Sequence, residues 1–210
     1  MALTKSVVTI QDWEDVAMGQ VSESIIYDNS ANYDCVLSIQ AFLNSTTAHI
    51  GSEFIIQTSA FTSGNTSWED CARYLNLVST APLAITITNS PAAAGTTVFT
   101  SGTVASGWEV ADLESRWVAI QGADYNLNPS LPEDSELMLQ TGYKLNTNIT
   151  VKDGCKNAHS VRSKIYSVAS SKIFSLPRLA SRIRVIVNNN YDSNGSGVLY
   201  KVMASVVSGL

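Results

Sequence analysis

The most regular pattern in the chain lies near its C-terminal end. Ile183, Val185 and Val187 alternate with Arg184 and Ile186, and Val198, Tyr200, Val202, Ala204 and Val206 alternate with Leu199, Lys201, Met203 and Ser205. Period two predicts strands with one face on a core, so Val185, Val187, Val202 and Val206 are expected to point inward. The polar stretch between the two runs holds Asn194, Gly195 and Gly197, residues that suit the left-handed positions a turn needs. The two runs are therefore expected to pair as a long β-hairpin.

The same period returns upstream. Strands are expected over residues 6–10, 21–27, 33–43, 53–60, 83–88, 96–105, 114–121, 136–141, 148–151, 163–168 and 172–176. Turn-prone residues separate them: Asp28 to Asn32, Pro91 to Gly95, and a loop over 125–134 carrying Pro129 and Pro132. Residues 11–16, with Asp12, Trp13, Glu14 and Asp15, suit a turn or one helical turn. Residues 68–77 stay open. Ser67 with Asp70 resembles a helix cap and Trp68, Ala72 and Leu75 have helical spacing, yet the stretch also reads as a strand led by its tryptophan. Many short strands without a convincing long helix indicate an all-β fold, an antiparallel β-sandwich or jelly roll with at most short helical turns. We expect one sandwich domain over 1–210, with residues 1–20 as an arm or peripheral segment.

Charge changes this picture. Charged residues make up only 15% of the chain, against about 25% in typical globular proteins. A polar but weakly charged surface suits a protein whose faces are covered by neighbours. The net charge of −5 also hides a split along the chain. Residues 1–140 hold Lys5, Arg73 and Arg116 against sixteen acids, whereas residues 141–210 hold ten basic residues against Asp153 and Asp192. Either the strands interleave and the split cancels, or the protomer is bipolar and its basic face meets an acidic face of the next copy. For the basic face the interface candidates are Arg178, Arg182 and Arg184, since arginine is enriched at interfaces. The pI of about 4.9 argues against a dedicated nucleic-acid binder.

Candidate chemistry is sparse. His49 and His159 have no second ligand at a familiar metal spacing, and neither a nucleophile elbow nor a phosphate loop is present. No catalytic, cofactor-binding or metal residue is therefore expected, and no enzyme activity. Asp192 and Asn194 resemble the start of a calcium loop but lack its glutamate, so a capped turn is expected. Cys35, Cys71 and Cys155 are odd in number and far apart, which suits buried free thiols in a reducing cytoplasm. No apolar run reaches membrane-spanning length, and Met-Ala-Leu-Thr-Lys lacks the apolar region of a signal peptide, so neither is expected. A sugar-binding sandwich is an alternative that needs exposed aromatics, with Trp13, Trp68, Trp108 and Tyr125 as candidates.

A resemblance adds to this. Ile149-Thr-Val-Lys-Asp-Gly154, Ala158-His159, Ile165-Tyr166, Leu176-Pro177 and the run from Arg182 to Asp192 follow in order. Upstream stand Gly51 to Ser59, Trp68, and Glu114-Ser-Arg-Trp-Val-Ala-Ile120. This succession resembles the β-sandwich virion structural proteins of tailed bacteriophages over about two-thirds of the chain. It implies a homo-oligomeric, non-enzymatic bacteriophage virion component without cofactors, capsid-associated as a decoration or auxiliary protein. A tail or neck protein, or a carbohydrate-binding host-attachment sandwich, is the alternative. Its implied partners are copies of itself and major capsid or tail proteins. Its implied location is the virion, after synthesis in the host cytoplasm. No functional residues carry over, because the pattern is one of strands and turns.

Overall fold

The computed structural model describes residues 3–49, 51–64, 67–76, 82–88, 92–101, 104–110, 116–121, 135–189 and 197–209. These residues form strands and loops, with no helix among them. In chain order the strands are β1 (Leu3–Val16), β2 (Val21–Glu23), β3 (Tyr27–Asp28), β4 (Asn32–Leu43), β5 (Ser52–Ser59), β6 (Glu69–Asn76), β7 (Ala84–Thr86), β8 (Val98–Thr100), β9 (Arg116–Gln121), β10 (Glu136–Lys144), β11 (Asn148–Val151), β12 (Lys164–Tyr166), β13 (Ala169–Ser175), β14 (Arg182–Asn188) and β15 (Val198–Gly209). The chain is all-β, as the alternation predicts. The loop expected over 125–134 and the turn residues Asn194 and Gly195 lie outside the described residues.

The strands fall into two compact units. Unit 1 comprises Met1–Ala41, His49–Val78 and Ser171–Leu210, and unit 2 comprises Phe42–Ala48 and Ser79–Ser170. Unit 1 holds two sheets, in the orders β1-β15-β4-β13 and β2-β14-β5-β6, with β3 also paired to β14. Alternating side chains turn inward from both: Leu37, Ile39, Tyr200 and Val202 from the first sheet, and Phe54, Ile56, Val185 and Val187 from the second, all fully buried. Aromatics join the layers. The Phe54 ring meets Tyr200 edge-on at 6.4 Å, and Tyr74 lies 5.3 Å from Phe174. This is a β-sandwich core.

Unit 2 is a six-stranded sheet, β7-β12-β9-β10-β11-β8. The Thr88 N–H donates to the Thr100 carbonyl at 3.2 Å, so the ends of the sheet are drawn together. Phe99, Trp108, Val118, Ile120, Ile149 and Ile165 form its core. On β9, Val118, Ala119, Ile120 and Gln121 are all buried, as in a strand covered on both faces.

The expected terminal hairpin is corrected. The inward faces of β14 and β15 are as predicted, but the strands belong to different sheets. β14 pairs antiparallel with β5 on one edge and with β2 and β3 on the other. β15 lies between β1 and β4. Both edges of each strand are already filled, so neither has room for the other. Alternation reports which face is buried and says nothing about which strand lies alongside.

The expected turn over 11–16 is also corrected, because β1 runs through it. Two register shifts, at Thr9/Gln11 and Gln11/Glu14, interrupt its pairing with β15. Each bulge moves the inward face by one residue, so Ile10, Trp13 and Val16 are buried at a spacing of three. The open stretch 68–77 contains strand β6, which pairs with β5.

Candidate functional site

Strand period puts Arg182 and Arg184 on one face of β14, opposite the buried Ile183 and Val185. Arg182 stands level with Ser59 of β5 and is only 7% exposed. Its Nε donates to the Phe61 carbonyl at 2.6 Å, Nη1 to the Gly64 carbonyl, and Nη2 to the Ser63 carbonyl at 3.1 Å and to Ser59 Oγ at 3.4 Å. The guanidinium thus fastens the loop that follows β5. Arg184 donates to Gln57 Oε1 and to Glu23 Oε1, each at 2.8 Å. Both guanidinium groups lie over the Trp68 ring, at 4.9 and 4.3 Å from its centroid. Arg178 is different: it is exposed on the turn between β13 and β14.

That turn is held on both sides. The Ala180 N–H donates to the Pro177 carbonyl at 3.0 Å and closes it. Asn29 Nδ2 donates to the Ala180 carbonyl at 2.9 Å, its N–H to the Ser181 carbonyl at 2.7 Å, and the Ser181 N–H to the Ser59 carbonyl at 2.8 Å. The backbone is fixed, yet Leu179 at its tip is 85% exposed, with Pro177 and Arg178 exposed beside it. Next to the tip lies a cleft of about 280 Å³ lined by Thr58, Phe61, Ser67, Glu69, Pro177 and Leu179. Phe61 is itself mostly exposed, and Ser67 adopts a left-handed φ of 68°.

Exposed apolar side chains are more numerous in unit 1 than in unit 2. Of the twelve large ones exposed among the described residues, ten belong to unit 1, including Leu3, Val7, Ile25, Phe61, Ile173 and Leu179. Charge is spread evenly instead. Unit 1 holds seven basic residues against ten acidic, and unit 2 six against eight. The sequence split of −13 and +8 therefore becomes −3 and −2, because each unit draws on both parts of the chain.

Unit 2 contains a buried cluster that the linear pattern conceals. Gly154 lies so close to Gly95 that a Cβ there would come 2.3 Å from the Gly95 carbonyl oxygen. The Gly95 N–H donates to the Cys155 carbonyl at 2.7 Å, and Ala92 and His159 exchange both backbone bonds at 2.8 Å. The segment from Cys155 to His159 is thereby clamped, and both side chains reach Glu136 at the start of β10. Glu136 accepts from His159 Nε2 at 2.6 Å, the Lys156 N–H at 2.7 Å and the Asn157 N–H at 3.2 Å. Burial alone would raise its carboxyl, but the His159 ring and these two N–H groups hold it below the usual range. One ligating atom each from Glu136, Cys155 and His159 lies within 4.8 Å of the others, and all three residues are buried. Sequence reading gave His159 no metal partner. The available signal was Cys155-x-x-x-His159; Glu136 lies too far along the chain to be linked by spacing.

The other candidates are placed as follows. His49 is buried and bonds Ser52 Oγ at 3.1 Å. Neither histidine lines the cleft. Trp13 and Trp108 are core residues, Trp68 lies partly buried against the two arginines, and Tyr125 is outside the described residues. Cys35 and Cys155 are buried free thiols, whereas Cys71 is exposed, a correction to the expectation for all three.

No protein-family model matches the chain, and no curated protein matches its sequence. Among solved structures it is similar to VP17, a capsid protein of bacteriophage P23-77, with 8% identity over 100% of this chain and 98% of that one, at a TM-score of 0.21. It is also similar to the VP2 subviral particle of infectious bursal disease virus, with 7% identity over 99% of this chain and 42% of that one, at a TM-score of 0.25. The VP16–VP17 complex of the two major capsid proteins of P23-77 shows 10% identity over 98% and 100%, at a TM-score of 0.21. At these scores the likeness carries no argument, and the functional reading rests on the chain's own residues.

Proposed function

We propose that the chain is a non-enzymatic structural component of a bacteriophage virion, a capsid-associated decoration or auxiliary protein that assembles with copies of itself and with other virion proteins. The observation that carries this reading is the anchored tip of unit 1, where Leu179, Phe61 and Pro177 stand exposed on a backbone already fixed by hydrogen bonds. A rigid apolar tip beside a cleft loses little conformational entropy on docking. Exposed apolar groups of this kind mark interaction surfaces. The low share of charged residues and the strand pattern shared with phage virion proteins support the same reading.

Arg182 and Arg184 are engaged within unit 1, which narrows the proposed basic contact to Arg178 at the tip. Residues 3–9 of β1 are almost wholly exposed although paired to β15, which supports a peripheral segment over residues 3–9 alone, since Ile10, Trp13 and Val16 further along are core residues. The test is co-sedimentation of purified protein with particles that lack it. Leu179→Asp should leave the melting temperature within a degree or so, since exposed substitutions cost about 0.5 kcal/mol or less, and should reduce bound protein at least tenfold. Binding equal to wild type would contradict the proposal.

A further inference from the structure

We propose that Glu136, Cys155 and His159 form a zinc site that staples the Cys155–His159 loop to the start of β10. Thiolate, imidazole and carboxylate are the donor types that zinc takes in proteins. Ligands about 2.0–2.3 Å from a tetrahedral metal stand roughly 3.5 Å apart. The three ligating atoms here lie within 4.8 Å of one another, so small shifts suffice: His159 Nε2 and Glu136 Oε1, now 2.6 Å apart, open by about 1 Å to admit the ion.

The ion's place is between His159 Nε2 and Glu136 Oε1, which face each other at 2.6 Å in the buried interior of unit 2. The Cys155 Sγ donates weakly to the Ala93 carbonyl at 3.2 Å; burial raises the thiol, and backbone N–H groups of Gly95 and Thr96 favour its thiolate form.

The backbone supports the same purpose. Gly154 against Gly95, and the two bonds between Ala92 and His159, fix Cys155 and His159 before any ion arrives. On binding, the Cys155 thiol gives up its proton and the ion takes the place of the proton shared by His159 and Glu136, so zinc uptake releases protons to solvent. The role is structural: the set is buried and does not line the cleft of unit 1.

The experiment uses the full chain. Elemental analysis after expression in zinc-supplemented medium should find one zinc per chain, and chelator should lower the melting temperature by several degrees. Cobalt replacing the zinc should give the intense thiolate-to-cobalt charge-transfer band of cysteine ligation. That band should persist in Cys71→Ser and vanish in Cys155→Ala. If Cys155→Ala fails to fold, the band in the wild-type protein still decides the matter, with Cys71→Ser and Cys35→Ala as controls. No bound metal together with a chelator-insensitive melting temperature would overturn the proposal. So would a band that persists in Cys155→Ala, or one lost in Cys71→Ser.

Discussion

Arg182 shows how one residue changes meaning once its surroundings are known. By sequence it is one of three cations on a basic stretch, suited to an interface rim. In the fold its guanidinium serves three carbonyls and a hydroxyl of residues 59–64 and lies over Trp68. Truncating it removes a buried charged donor from these acceptors, and a hydrogen bond to a charged group is worth about 1.5–3 kcal/mol. Arg182→Ala should therefore lose about 2–4 kcal/mol of stability in denaturant unfolding. A loss below about 0.5 kcal/mol would mean that the arginine is the rim charge its sequence position suggested. The cysteines give a second test at this scale. Burial raises all three thiols, Cys35 to about 11, but only Cys71 is exposed to a reagent. A thiol reagent should modify one cysteine per native chain, lost in Cys71→Ser, and all three after unfolding. Rapid native labelling of Cys35 would contradict the burial described for β4.

At the scale of elements, the strands were legible and their partners were not. Alternation placed β4, β5, β14 and β15 as strands and gave the inward residues of β14 and β15, since a buried face imposes its own period. It failed at β1, where two bulges convert a period of two into a spacing of three that resembles a helical turn. It also failed to separate β14 from β15, because a polar stretch between two strands fits a crossing between sheets as well as a turn. The cluster of Glu136, Cys155 and His159 was hidden for a similar reason: antiparallel pairing brings residue 136 to residues 155–159, and only the fold supplies that pairing. β14 is the central strand of its sheet, with partners on both edges and Val185 fully buried. Val185→Asp places an unpaired carboxylate in that core and should cost on the order of 4 kcal/mol. Soluble yield should collapse, and a near-wild-type melting temperature would remove β14 from the centre of the sandwich.

For the whole molecule, the chain passes four times between the two units, at residues 41–42, 48–49, 78–79 and 170–171. Neither unit is a continuous stretch of sequence, so neither can be separated by a single cut. We propose that residues 1–210 unfold as one domain, and scanning calorimetry should then show a single transition with equal calorimetric and van't Hoff enthalpies. Two transitions would establish two domains. Interleaving also evens out the charge, which leaves the apolar tip of unit 1 as the docking feature we propose. The measurement that bears most directly on this account is cryo-electron microscopy of the bacteriophage particle in which we propose the chain to be a component. Many ordered copies should be present, with Leu179 and Phe61 buried against a neighbouring protein and Arg178 at the rim of that contact. Absence of the chain from the particle, or copies whose Leu179 and Phe61 face solvent, would contradict it.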